Sequence, residues 1–255
     1  MSWQPGTWLQ PESAPADARL RLLLFHCAGG GASMYHAWPA LFPSAVAVQS
    51  VQLPGRQDRL GEPAFVRLDE LLETLTEIVA AEDDGRPFAF FGHSMGALLA
   101  YRLTVELERA GLPGPTVTAV AGWAPKGFRT PVEGAAGGPS DEVLVRELAK
   151  LRALPADLLD AAPQWLALAL PAIRADIAVC AGYVDDEAVV TAPLVAYGGA
   201  ADPLMEPDAL GSWSTRTRGF LGARVLPGDH FFLAEAAEAA VIAADLAHLL
   251  LRHEA

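Results

Sequence analysis

The sequence predicts an α/β fold: a mainly parallel central sheet with helices on both faces. Six short apolar runs are separated by longer amphipathic stretches, and this β–α alternation implies crossover connections and a parallel sheet. Most of the short runs are apolar without alternation, as strands covered on both faces must be. Length and composition agree. A chain of 255 residues, 52% of them hydrophobic, suits one domain (1–255) with a large core.

Taken in order, "RLRLLLFH" (19–26), "AVAVQSV" (45–51), "PFAFFG" (87–92), "TVTAVAGW" (116–123), "PLVAYGG" (193–199) and "ARVLPG" (223–228) read as strands. Between them, "LDELLETLTEIVAAE" (68–82) repeats apolar residues at helical spacing. "MGALLAYRLTVELERAG" (95–111) does the same and ends on a glycine stop signal. "LAEAAEAAVIAADLAHLLLRH" (233–253) closes the chain as a helix. One region breaks the alternation. From 130 to 186 a Gly/Pro-rich connector leads into "DEVLVRELAKLRAL", "PADLLDAA" and "PQWLALALPAIRADIAVCAGYV", all helical in pattern. This is a helical insertion between two strands, expected to serve as a lid.

Composition excludes several function classes. The net charge of −13 opposes nucleic-acid binding, which neutralises phosphates with Lys and Arg, and opposes anionic membrane surfaces. No apolar run reaches the roughly 18 to 20 residues of a membrane span. The N-terminal stretch lacks the basic start and apolar core of a secretory signal. Two cysteines, Cys27 and Cys180, make no disulfide framework, so a cytoplasmic location is expected. No metal or cofactor motif stands out; the run Gly29-Gly30-Gly31 lacks the pattern of a phosphate-binding loop.

The chemistry is concentrated in "FGHSMGA" (91–97). Gly92-His93-Ser94-Met95-Gly96 fits G-x-S-x-G, between a strand and a helix, where side chains at both glycines would strike neighbouring backbone. The turn presents the Ser94 hydroxyl at the C-terminal edge of the sheet, with a helix N-terminus behind it. A serine needs a base. Of six histidines, His230 in "LPGDHFF" follows the last strand and precedes the last helix, at that same edge. His93 flanks the serine and reads as structural, His26 and His36 lie near the glycine loop, and His248 and His253 fall on the last helix. In α/β-hydrolases the order is Ser, acid, His. That favours Asp202, just past Gly198-Gly199, over Asp229 beside the histidine, over Asp185 and Asp186 ahead of the strand, and over Asp208, expected to N-cap a helix. Asp202 would fix the tautomer of His230 and stabilise its imidazolium. The Met95 N–H, immediately after the serine, is one expected oxyanion donor, and the loop "FHCAGGGAS" (25–33) is expected to supply a second.

Beyond these residues the chain resembles the type II thioesterases of modular polyketide synthases and nonribosomal peptide synthetases, within the α/β-hydrolase superfamily. The blocks that carry the likeness run from about Trp8 to Ala234: "LLLFHCAGGGASMYHAW", "VQLPGRQDRLGEP", "PFAFFGHSMGALLAYRL", "AGWAP", "LPADLL", "LPAIRADIAV", "YGGAADPL" and "PGDHFFLAE". The resemblance implies Ser94, Asp202 and His230 as a catalytic triad and Ala28 with Met95 as backbone oxyanion donors. It also implies a lid at 130–186 over an acyl chamber. The expected substrate is an acyl thioester on the phosphopantetheine arm of an acyl or peptidyl carrier protein, with stalled or aberrant groups cleared by hydrolysis and no separate cofactor. Two departures stand out. Phe25-His26-Cys27-Ala28-Gly29-Gly30 replaces the usual Phe-Pro-His-Ala-Gly-Gly, and Arg102 stands where a glutamate is common. Arg56, Arg59 and Arg102 are candidate contacts for the carrier, and Cys27 reads as a buried small residue. A carboxylesterase or lipase, an acyltransferase, and a non-catalytic binding partner of a synthase are the competing readings on the same fold.

Overall fold

The structure, a computed structural model, describes residues 8–129, 140–151 and 163–252. Its strands are β1 (Leu9–Gln10), β2 (Leu20–Phe25), β3 (Val46–Val51), β4 (Phe88–His93), β5 (Thr118–Ala121), β6 (Leu194–Gly199) and β7 (Phe220–Leu226). Its α-helices are α1 (Leu68–Ala81), α2 (Met95–Arg109), α3 (Asp141–Lys150), α4 (Pro163–Ala181) and α5 (Ala236–Arg252). The strands form one sheet in the order β1-β3-β2-β4-β5-β6-β7, parallel except for the antiparallel pair β1–β3.

Continuous apolar strands give the sheet two buried faces. On one, Leu23, Phe25 and Phe90 pack against Leu71, Leu75 and Ile78 of α1 and Leu99 and Leu103 of α2. On the other, Leu22, Leu24 and Phe91 meet Tyr35 and Trp38 of two short 3₁₀ turns, while Ile242, Leu246 and Leu250 of α5 complete that layer. The chain winds from β2 outward to β3, then crosses back to β4 on the opposite side. The loops after β2 and β4 therefore diverge from adjacent strand ends, the crevice where open α/β sheets bind ligands.

The expected strands and helices are present, with three shifts. β1 was not anticipated; two residues are too few for a pattern. β7 starts at Phe220 rather than 223, because a register shift opposite β6 and the left-handed Gly222 (φ 99°) interrupt its apolar run. Asp208 is not an N-cap: it lies in the first turn of a 3₁₀ helix, Pro207–Thr215, whose N-cap is Glu206. In the region 130–186, α3 and α4 are helices as expected. Ser140 caps α3 by accepting from the Val143 N–H, and Leu144 and Leu148 pack on Ile173 of α4. The connector at 130–139 and the expected helix "PADLLDAA" (155–162) lie outside the described residues, as does His253.

Candidate active site

The elbow after β4 is dictated by backbone contact. A Cβ on Gly92 would sit 1.9 Å from Gly96 O, and one on Gly96 would sit 2.0 Å from Phe25 O. Neither neighbour is a side chain that can turn away. Ser94 itself is forced to φ 55°, ψ −115°, a strained region for any residue but glycine. Its N–H is held by Ala121 O at 2.8 Å, and α2 begins with the next residue.

The structure brings Ser94, His230 and Asp202 into one hydrogen-bonded chain. His230 Nε2 lies 3.0 Å from Ser94 Oγ, and His230 Nδ1 lies 2.8 Å from Asp202 Oδ2. A carboxylate only accepts, so Nδ1 carries the proton and Nε2 is free to accept from the serine hydroxyl. Asp202 Oδ1 accepts from the Leu204 N–H at 2.8 Å, which fixes the carboxylate, and the side chains of both residues are buried. The loop that carries His230 rests on the end of β6. A Cβ on Gly199 would lie 2.2 Å from Asp229 O, so glycine lets the two loops touch.

The other acidic candidates serve elsewhere. Asp229 Oδ1 accepts from the Phe231 N–H, Asp185 pairs with Arg216, and Asp186 pairs with Arg102 and Arg109. His93 is structural, as the sequence suggests, and its task is now visible. Its Nε2 donates to His230 O at 2.8 Å, so it holds the backbone of His230. Burial first, and the neighbouring His230 second, lower its pKa to about 3, so it stays neutral. The two rings are 5.0 Å apart. Gly122 (φ 63°) makes room for them, because a Cβ there would meet His93 Nε2 at 2.9 Å and His230 Cε1 at 3.3 Å. In the sequence Gly122 stands out only as part of the strand "TVTAVAGW", with nothing local to mark its contacts with the two histidines.

Ser94 opens onto a cavity of about 270 Å³, with Ala28 and Met95 also on its wall. Trp123, Phe128, Ile177 and Tyr183 make most of its surface apolar. Ile177, Cys180 and Ala181 belong to α4, so that helix forms part of the chamber wall. Met95 is the first residue of α2, and its N–H is among the four that have no acceptor within a helix. Cys27 is buried beside Met34 Sδ at 3.9 Å, and burial pushes its thiol up to about 12, which favours the protonated thiol. Burial likewise pushes up the Cys180 thiol on the cavity wall. Among the described residues no three His, Cys, Asp or Glu side chains gather to hold a metal ion.

The Ala28 loop is anchored by residues the sequence reading did not connect. Asp176 of α4 accepts from the Gly29 N–H at 2.8 Å and from both terminal nitrogens of Arg56, at 2.6 and 2.9 Å. Arg56 is thus not a carrier contact but a buried partner. The same correction holds for Arg59, bonded to Glu62 and Gln52 O and stacked 4.1 Å over Trp8, and for Arg102, held by Asp186 and Glu106. All three are under 10% exposed. The available signal was Asp176, a lone acid in the apolar run "LPAIRADIAV", which demands a buried partner.

Known proteins similar to this chain give its family and fold. The thioesterase domain family matches residues 20–248. The chain belongs to that family. It is 32% identical over 233 residues to the gramicidin S biosynthesis protein GrsT of Aneurinibacillus migulanus, covering 91% of this chain and 90% of that one. Among solved structures it is similar to RedJ, a thioesterase from the prodiginine pathway of Streptomyces coelicolor, with 32% identity and a TM-score of 0.82 over 93% of this chain and 90% of that one. It is also similar to BorB, the type II thioesterase of the borrelidin cluster, with 32% identity and a TM-score of 0.81 over 98% and 100%. The α/β-hydrolase architecture of these neighbours is that of the sheet described here. No helix among the described residues is long and apolar enough to cross a membrane.

Proposed function

We propose that this thioesterase hydrolyses acyl groups from the phosphopantetheine arms of acyl or peptidyl carrier proteins, clearing stalled or aberrant intermediates of polyketide or nonribosomal peptide biosynthesis in the cytoplasm. The observation that carries the reading is the chain Asp202–His230–Ser94 at the mouth of an apolar cavity. Similarity to RedJ, BorB and GrsT supports the pathway class.

In the proposed reaction His230 Nε2 takes the Ser94 proton as Oγ attacks the thioester carbonyl. Asp202 stabilises the resulting imidazolium. The N–H groups of Met95 and Ala28 receive the oxyanion. When the intermediate collapses, the C–S bond breaks and His230 returns the proton to the departing pantetheine thiol. The acyl-serine is left. His230 then deprotonates a water, which attacks the same carbonyl. The C–O bond to Ser94 breaks, the proton passes back to Oγ, and the free acid leaves. These steps use the side chains above and water, and call on no cofactor beyond the carrier's own arm. The insertion 130–186 acts as the lid, and α4 with Trp123 and Phe128 shapes the acyl chamber.

The test is hydrolysis of a panel of carrier-bound acyl thioesters against matched oxygen esters, with wild type and Ser94→Ala. Thioester turnover should exceed oxygen-ester turnover and fall by at least about 10³-fold in Ser94→Ala. Equal preference for the oxygen ester overturns the thioester assignment, and unchanged turnover in Ser94→Ala overturns the nucleophile. An acyl product on an added amine or alcohol, in place of free acid, marks a transferase.

A further inference from the structure

We propose that Arg56 and Asp176 are positioning residues that hold the Ala28 N–H in donor geometry and make that geometry depend on the seating of α4. The proposal deepens the thioesterase reading, on which it rests for the role of Ala28. Its basis is a three-way junction beside the cavity. One Asp176 carboxylate takes the Gly29 N–H, one residue past the expected donor, and both ends of the Arg56 guanidinium. Arg56 reaches back to the same loop through Gly30 O at 3.4 Å and is fixed by Pro54 O at 3.3 Å. The loop's far side is tied to the same segment: Ala32 N–H donates to Gln52 Oε1 at 2.6 Å, and Gln52 Nε2 donates to Arg56 O at 3.1 Å.

Helix α4 closes down on this loop directly. Gly29 has φ 74°, and a Cβ there would stand 2.7 Å from Ile173 Cγ1 of α4. Gly29 is therefore both the residue that turns the loop and the point where α4 lands. The side chains of Arg56 and Asp176 are 7% and 3% exposed. A bidentate pair this buried costs desolvation on both charges, and two apolar residues would often fill such a site with equal or greater stability. Fold stability alone is thus a weak reason for the pair. What an apolar pair cannot supply is an acceptor for the Gly29 N–H. Lifting α4 would remove that acceptor and release the loop, so the oxyanion site is complete only when α4 is seated.

Three variants separate positioning from packing: Asp176→Asn, which retains an oxygen acceptor for Gly29; Asp176→Glu, which keeps the charge but moves it by one methylene; and the double variant Arg56→Met/Asp176→Leu, which replaces the pair with apolar volume. Each is assayed for kcat and KM on an acyl-pantetheine thioester, for the rate of Ser94 phosphonylation by a fluorophosphonate, and for Tm. In the double variant kcat and the phosphonylation rate should both fall about 10- to 100-fold, because an oxyanion donor is misplaced, while KM changes less than about threefold and Tm stays near wild type. Asp176→Asn should recover at least about fivefold of that loss. Wild-type rates in the double variant overturn the proposal, and so does equal loss in Asp176→Asn and the double variant. If the double variant does not fold, Asp176→Glu decides: a fall of about tenfold in both rates at unchanged KM supports positioning, and unchanged rates overturn it. Phosphonylation reads the serine, the base and the donors without any thioester. A wild type that phosphonylates rapidly but hydrolyses no thioester therefore refutes the substrate assignment, while the ratios among variants still judge Arg56 and Asp176.

Discussion

Single atoms decide much of this site. Gly122 must lack a Cβ both for its left-handed backbone and for the space taken by His93 and His230. Gly122→Ala should lower kcat about 10- to 100-fold through displacement of the base and destabilise the fold by roughly 1–3 kcal/mol, read by steady-state kinetics and urea melts. A variant with wild-type kcat would show that the imidazole tolerates the push. His26 and His93 make a second residue-scale effect. Burial, the largest cause for both, lowers them to about 4 and about 3, so they are neutral in the folded chain and protonated in the unfolded chain below their ordinary value of 6.5. Their contribution is present above pH 6.5 and is lost as pH falls toward those values. Each contributes a slope approaching about 1.4 kcal/mol per pH unit between roughly pH 6 and 4. His26→Asn does not titrate and keeps a donor for Cys27 O, the present partner of His26 Nδ1. It should remove one histidine's share of that slope; an unchanged slope would mean that His26 is charged in the native state. That Ser94, His230 and Asp202 meet was legible in the sequence because each sits at a strand end in a set order. The residues around them were not: His93 and Gly122 meet His230, and Asp176 holds the Gly29 loop, all through contacts with residues far away in the chain.

At the scale of elements, pattern reading succeeded where a segment is long or flanked by glycine, as in α1, α2, β4 and β6. It slipped where register, not composition, decides. β1 is a two-residue pairing to β3, and the start of β7 is hidden by a bulge. Arg102 shows how an element's interior is reassigned by its neighbours. On α2 it is 8% exposed and bonds Asp186 and Glu106, while Asp186 is shared with Arg109. Burial alone would raise the Asp186 pKa, but the hydrogen bonds from Arg102 and Arg109 outweigh it and hold the carboxyl well below the usual range. Restoring the commoner glutamate, Arg102→Glu, would place a third carboxylate between those two. The expected cost is roughly 1–3 kcal/mol, discounted because Asp186 is over a third exposed, with acyl turnover at saturating substrate unchanged. Chemical denaturation and kcat measure the two halves; undiminished stability would show that the network relaxes into solvent.

For the molecule as a whole, the burial of Arg56, Arg59 and Arg102 means that part of the positive charge never reaches the surface. The carboxylates of Asp176 and Asp202 are buried too, so the long-range field a partner meets is that of the net charge of −13. An acidic carrier would be repelled at long range, so added salt should strengthen the encounter, opposite to a steered complex. KM for a carrier-bound substrate should fall as salt rises from about 50 to 300 mM, while KM for the free pantetheine thioester stays level. A carrier KM that rises with salt would reveal a local basic landing site. The packed contact of Gly92, Gly96 and Phe25 O bears on a different property. Three stretches of main chain meet there with no side chain between them, so the floor under Ser94 has no side chain that could turn aside to make room. Whatever volume the chamber gains for a larger acyl group must come from above, from α4 and the 122–128 turn. The cavity wall made by α4, Trp123 and Phe128 is the part that can change shape without disturbing the main-chain contacts under Ser94.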